Sequence, residues 1–199
     1  MNKIITIGRE FGSGGREFGR RLVEELNIEY YDKEIIAEIS KHTKLSEEYV
    51  SEIIEHRIHH LYPITIGRTI NFASDYQIKQ IQQVYQAQCD ILKELAEKSS
   101  CVIVGRCADF ILKDYNPFKI FVYADIESRI NRCEKRNEDK QLTRKQIKKH
   151  IIRIDKERAK YYEYYTGLKW GDKSNYDLCV NTTDTVIKDV VPIIAKMFK

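Results

Sequence analysis

Three glycines in four residues, Gly12-Ser13-Gly14-Gly15, stand between Glu10-Phe11 and Arg16-Glu17. Such a peptide can aim several backbone N–H groups at one point. Glycine reaches φ > 0 without strain and lets an anion approach the chain closely. If a helix starts there, its first turn adds unpaired N–H groups and the positive end of its dipole. The chemistry that this spacing suits is phosphate binding. The usual phosphate loop reads G-x-x-x-x-G-K-[ST]. Here no Lys follows the last glycine, and no Ser or Thr follows that. Two registers are open. If Arg16 replaces the Lys, the first Gly of the pattern falls on Glu10. If the register is counted from the preceding strand, Gly15 takes the Lys position. Arg16 is the preferred cation, because positive charge must face the terminal phosphates. The plain alternative is a tight turn that binds nothing, but such turns seldom need three glycines so close together.

A second candidate is Arg106, which directly follows Cys101-Val102-Ile103-Val104-Gly105. A near-continuous apolar run reads as a central parallel strand. An Arg at its carboxyl end has a planar fork suited to bidentate phosphate contacts. Asp32 lies at the start of a helical stretch, where it is a good N-cap. It also lies near a strand end, where α/β sheets bind ligands. Arg158 falls on the apolar side formed by Ile147, Ile151 and Ile154, and there it needs a partner. Asp155 or a ligand phosphate could serve. Arg153 and Lys160 point the other way. His56, His59 and His60 are close in sequence, but no carboxylate or Cys is spaced to complete a metal set.

These groups need elements to hold them. Ile4-Ile5-Thr6-Ile7 reads as a buried strand. Phe18, Leu22, Val23 and Leu26 then recur at helical spacing. A short second strand covers Asn27 to Asp32, and a helix runs from Lys33 to His42. Leu45 to about His60 reads as helical until Leu61-Tyr62-Pro63. Ile64 to Ser74 has little period and reads as a loop or a short helix. A long helix follows from Asp75 to Lys98, with Ile78, Ile81, Tyr85, Cys89, Leu92, Leu95 and Ala96 on one face. After the strand ending at Val104 come a short helix from Ala108 to Leu112 and the strand Lys119 to Tyr123. Helices follow from Asp125 to Arg136 and from Leu142 to about Tyr165, the latter capped by Thr143. Tyr176 to Asn181 is a last strand, and Thr185 to Phe198 a last helix. Strands and helices alternate, which predicts a three-layer α/β sandwich with a parallel sheet and helices on both faces.

The chain has 199 residues and a net charge of +4. That length suits one domain, 1–199, able to bury its own core. Five scattered Cys residues without a C-x-x-C pair predict reduced thiols, not disulfides or zinc. No signal-peptide pattern and no membrane-length apolar run is present, so a cytoplasmic protein without membrane contact is expected. Between Arg129 and Lys160 there are thirteen Lys/Arg against five Asp/Glu. A basic block on a near-neutral body points to an anionic ligand or a solvated helix face. Nucleic acid could use such a block but is not the expected partner.

The chain resembles the cytidylate kinase-like family, a branch of the P-loop nucleoside monophosphate kinases. The likeness rests on Ile4 to Glu17 and on Val102-Ile103-Val104-Gly105-Arg106-Cys107. It extends to Lys119-Ile120-Phe121-Val122, to the Arg-rich Arg153 to Arg158, and to Asp177 to Thr182. It departs from the bacterial cytidylate kinases at Val104 and Cys107, where they carry acidic residues. The resemblance implies a nucleotide-kinase fold with a basic helical lid at about 129–165 and a helical insertion at about 43–75. It implies transfer of the ATP γ-phosphoryl group to a nucleoside monophosphate, CMP or dCMP first, with Mg²⁺. Gly12, Ser13, Gly14, Gly15, Arg16 and Glu17 would hold the ATP phosphates. Asp32, Arg106 and Asp109 would face the acceptor, and one of Arg153 and Arg158 would reach the transferring group. Glu17 or Asp109 would be the residues to restore metal binding. A kinase for another small acceptor, or a nucleotide-binding regulator without turnover, are the alternatives. A monomer or homodimer is expected.

Overall fold

The computed structural model describes residues 2–55, 64–66, 69–71, 75–136 and 142–198. Five parallel strands form one sheet in the order β2-β5-β1-β6-β7. They are β1 (Ile4–Arg9), β2 (Glu29–Tyr31), β5 (Cys101–Val104), β6 (Phe118–Tyr123) and β7 (Leu178–Asn181). β1 is central: Ile7 pairs with Val104 on one side and Ile120 on the other. Every connection within the sheet is a crossover, so helices must cover it.

Alternation along the strands feeds two cores, as the pleat requires. Ile5, Ile7, Val102, Val104, Ile120 and Val122 face one side, where Phe18 and Leu22 of α1 (Gly15–Leu26) meet Val191 and Ala195 of α8 (Ile187–Ala195). Ile4, Cys101 and Ile103 face the other. There they meet α2 (Glu34–Thr43), α3 (Glu47–Glu55), α4 (Asp75–Lys98) and α5 (Ala108–Ile111). The three-layer α/β sandwich with helices on both faces is therefore the fold.

α6 (Ile126–Arg136) and α7 (Arg144–Thr166) share a small third core. Ile130, Ile147 and Ile151 form it, and Phe11 of the glycine loop packs against them. α7 begins in a capping box between Thr143 and Gln146, as the sequence suggests, and ends at Gly167 with φ +69°.

Two local expectations differ from the structure. Asp32 does not cap α2. The helix opens after Lys33 without a side-chain cap, and the Asp32 carboxylate turns toward arginines instead. Within 64–74, the described residues are extended rather than a loop or helix: β3 (Ile64–Ile66) pairs antiparallel with β4 (Thr69–Asn71). Ser46 starts α3 by accepting from the Tyr49 N–H at 3.2 Å. The expected end of that helix, with His56, His59 and His60, lies outside the described residues.

Candidate phosphate-binding site

The loop between β1 and α1 turns at Gly12 and Gly14, both at positive φ (+78° and +85°). Its polar groups divide into two sets. One set is committed to the scaffold. The Phe11 N–H donates to Asp155 of α7 at 2.7 Å, and Arg129 Nε of α6 donates to the Phe11 carbonyl at 2.8 Å. Glu10 accepts from the Ala124 N–H at 3.1 Å and pairs with Arg129 Nη1 at 3.0 Å. Burial is the main influence on Glu10 and pushes its carboxyl upward; the Ala124 N–H and Arg129 oppose it. The other set lies where Gly14, Gly15 and Arg16 open α1, because a helix does not pair its own first N–H groups. Gly12, Gly14, Gly15 and Arg16 line a cavity of about 350 Å³ that α7 closes with Ile147, His150 and Arg158.

A second cavity, of about 510 Å³, adjoins it above the carboxyl ends of β1 and β5. Its floor includes Gly105 and Arg106, and its walls come from α3 and α7. Arg9, Phe11, Arg16 and Arg158 line both cavities. They stand where the two spaces meet.

Four guanidinium groups gather there, and the Asp32 carboxylate lies against two of them. Asp32 is 2 % exposed. Arg16 Nε lies 2.6 Å from its Oδ2, and Arg9 Nη2 lies 3.7 Å from its Oδ1. Arg158 Nη1 donates to the Arg9 carbonyl at 3.0 Å. Arg106 is buried beside them. Burial most strongly disfavours the charge on Arg9; Arg158, Arg106 and Arg16 add to this, and Asp32 opposes it. Arginine stays charged in proteins. The cluster therefore carries an electrostatic cost that an anion relieves.

Arg106 is positioned by unusual backbone. Gly105, Arg106 and Cys107 all have positive φ, at +76°, +60° and +51°. For the two non-glycine residues that conformation is strained. Gln88 of α4 holds it: its Nε2 donates to the Arg106 carbonyl at 3.0 Å, and its Oε1 accepts from the Tyr161 hydroxyl at 3.2 Å. Nearby, Asp109 accepts from the Tyr162 hydroxyl at 2.6 Å. Burial raises the Asp109 carboxyl, against the lowering effect of that bond. The Tyr162 phenol is also pushed up, first by burial and then by Asp109.

The residues singled out in the sequence divide accordingly. Gly12, Gly14, Gly15 and Arg16 meet at the smaller cavity, while Arg106, Asp109, Arg16 and Arg158 meet at the larger. Asp32 lines neither; it lies beneath Arg9 and Arg16 and orients them. Ser13 is fully buried, and its hydroxyl donates to the Glu10 carbonyl at 2.9 Å. Arg153 is exposed on the outer side of α7 with Glu157 and His150, each at 3.3 Å. Of Arg153 and Arg158, Arg158 is the one at the cavities. Sequence reasoning missed Arg9, Phe11 and Gln88. Arg9 had the same signal as Arg106, an Arg directly after a buried strand. Gln88 had another, a polar residue in the helical series Ile81, Val84, Gln88, Ile91 that is otherwise apolar.

Glu17 pairs with Arg21 at 3.0 Å and lines neither cavity, and Asp109 is engaged by Tyr162. Among the described residues no three His, Cys, Asp or Glu side chains gather to hold an ion. The five cysteines are free thiols. No helix among the described residues is long and apolar enough to cross a membrane.

Comparison with known proteins bears on family and fold. The sequence pattern of the cytidylate kinase-like family matches residues 4–184. The cytidylate kinase of Staphylothermus marinus is 26% identical over 197 residues, covering 98% of this chain and 96% of that one. The cytidylate kinase of Archaeoglobus fulgidus is 34% identical over 107 residues, covering 52% of this chain and 56% of that one. Among solved structures, an uncharacterized protein from Eubacterium ventriosum is similar with a TM-score of 0.67 and 27% identity over 98% of both chains. The shikimate kinase of Bacteroides thetaiotaomicron shares the fold, with a TM-score of 0.57 and 15% identity over 98% of both chains. The chain belongs to the cytidylate kinase-like family.

Proposed function

We propose that this member of the cytidylate kinase-like family is an ATP-dependent phosphotransferase acting on a nucleoside monophosphate, with CMP or dCMP the first acceptor to test. One observation carries the reading: two adjoining cavities meet at Arg9, Arg16 and Arg158, and one of them is lined by the glycine loop. Phosphoryl transfer needs a donor and an acceptor held in line, with charge neutralised between them. In this reading the ATP phosphates enter the smaller cavity and meet the N–H groups at the start of α1. The acceptor enters the larger cavity, where Arg106 grips its phosphate. An acceptor phosphate oxygen attacks the γ-phosphorus, the bond to the β-phosphate oxygen breaks, and ADP leaves. Arg158 reaches in from α7, which serves as the lid, and neutralises charge on the transferring group. Asp32 keeps Arg9 and Arg16 in place. The bound magnesium of such a reaction is expected to travel with the nucleotide, since Mg²⁺ is often held by substrate phosphates and water.

A turnover assay tests this. Protein, ATP and Mg²⁺ are combined with each nucleoside monophosphate in turn, and ADP release is followed. ADP release dependent on CMP or dCMP is the expected result. If ATP raises the melting temperature but no monophosphate supports turnover, the nucleoside monophosphate acceptor is refuted. The missing Lys would then favour a nucleotide-binding regulator, and a wider screen of small phosphate acceptors would test for another substrate.

A further inference from the structure

We propose that Arg9 is the relocated cation of the phosphate loop, delivered from the end of β1 in place of a lysine at the start of α1. The inference rests on the reading of the site as a nucleotide-phosphate site and moves the role from Arg16 to Arg9.

The space around Arg9 carries the argument. Counted from the strand, Gly15 occupies the position where the usual pattern has its lysine. A side chain cannot stand there. A Cβ on Gly15 would lie 2.5 Å from Arg9 Cβ and 2.9 Å from Arg9 Cγ. The Arg9 stem thus fills the volume from which a lysine would start. Farther out, a Cβ on Gly105 would lie 1.7 Å from Arg9 Nη1. Two glycines, on two elements brought together by the β1–β5 pairing, leave room for one arginine. The exchange is reciprocal: the chain has a cation at the strand end and no side chain at the first helical position, Gly15.

What Arg9 touches separates a ligand-facing role from a structural one. An arginine kept only to neutralise Asp32 would hold it closely. Arg9 Nη2 stands 3.7 Å away, whereas Arg16 Nε is at 2.6 Å. Arg9 Nε is buried and has no hydrogen-bond partner; Arg16 Nε and Arg106 Nε share that state, but Arg16 Nε has the Asp32 carboxylate at 2.6 Å. A buried donor left unmade is costly, and a phosphate oxygen can satisfy it. The Arg9 side chain is 11 % exposed, against 35 % for Arg16. It is the more desolvated of the two, so its pull on an incoming anion is less screened. It also lines both cavities, as a group meeting the transferred phosphate must.

The test is ATP titration by calorimetry on the wild-type protein, Arg9→Met, Arg16→Met and the exchange variant Arg9→Gly/Gly15→Lys. CMP is titrated in parallel, and each variant is first checked for a cooperative melt. Loss of a charge-assisted contact weakens binding about tenfold or more. Arg9→Met is expected to lose that much ATP affinity, more than Arg16→Met loses, and to lose less for CMP. The exchange variant, which restores the G-x-x-x-x-G-K part of the usual pattern, is expected to recover ATP affinity to within about threefold of wild type. If Arg9→Met fails to fold, the exchange variant decides. A folded exchange variant that binds no ATP overturns the inference, as does an Arg9→Met protein with wild-type ATP affinity. An Arg16→Met loss larger than that of Arg9→Met also overturns it, in favour of Arg16. A wild-type protein that binds no ATP overturns the nucleotide reading itself, and the inference with it.

Discussion

Asp155→Ala should destabilise the protein by about 2–3 kcal/mol, because Asp155 ties the glycine loop and α6 to α7 from one half-buried position. Its Oδ1 accepts from the Phe11 N–H at 2.7 Å, and its Oδ2 pairs with Arg129. The Arg129 side chain is 7 % exposed. Stripping every partner from a buried charge costs about 3–5 kcal/mol. Arg129 would not be stripped completely: it keeps Glu10 at 3.0 Å and the Phe11 carbonyl at 2.8 Å. The larger loss is then the charged acceptor of the Phe11 N–H, at about 1.5–3 kcal/mol. For a chain of this length each kcal/mol shifts the melting temperature by about 2–4 °C. Urea denaturation at pH 7, with a thermal melt alongside, measures the change. Asp155→Asn keeps a neutral acceptor and should fall between wild type and Asp155→Ala. Adding Arg129→Met to Asp155→Ala should cost less than the two changes summed, since they share one interaction. A loss below about 0.5 kcal/mol for Asp155→Ala would refute the reasoning. Strict additivity in the double variant would do the same.

Three further predictions concern the larger cavity. Arg106→Ala should keep a cooperative melt and ATP binding yet raise the acceptor KM about tenfold or more, from the loss of one charge-assisted contact; unchanged acceptor kinetics would remove Arg106 from the site. Gln88→Leu leaves the Arg106 carbonyl and the Tyr161 hydroxyl without the partner they share, so about 1–3 kcal/mol of stability should be lost. It should weaken the acceptor more than ATP, and equal effects on both ligands would point to a purely structural glutamine. Asp109 has its carboxyl raised by burial. The folded state therefore binds that proton more tightly than the unfolded chain does. Its stabilising contribution is full below the unfolded carboxylate range, near about pH 4, and is lost as pH rises through the raised folded value. Relative to Asp109→Asn, the wild type should lose stability across that window. Parallel denaturation curves at pH 4 and pH 7 would show an unshifted carboxyl.

Local pattern alone determined the parts of this protein that depend on near neighbours. Ile4 to Ile7 and Cys101 to Val104 are apolar on both faces because the sheet is covered on both, and that is visible in a run of residues. The glycine loop and the arginine after β5 sit beside those strands in sequence, so their place at the carboxyl edge of the sheet followed. Thr143 and Gln146 cap α7 across three residues. Tertiary structure decided the rest, because the partners are far apart in the chain. Phe11 and Asp155 are separated by 144 positions, and Arg158 and Arg9 by 149. Asp32 looked like a cap because a helix follows it, but the guanidiniums of Arg9 and Arg16 attract its carboxylate more strongly than the weak N–H dipoles of a helix start. Helical spacing already put Arg158 on the side of Ile147 and Ile151 and Arg153 on the other, but only packing showed that Arg158 meets the Arg9 carbonyl there. Arg9 was hidden for the same reason: its room is made by Gly15 on one element and Gly105 on another, and no window of sequence contains both as neighbours.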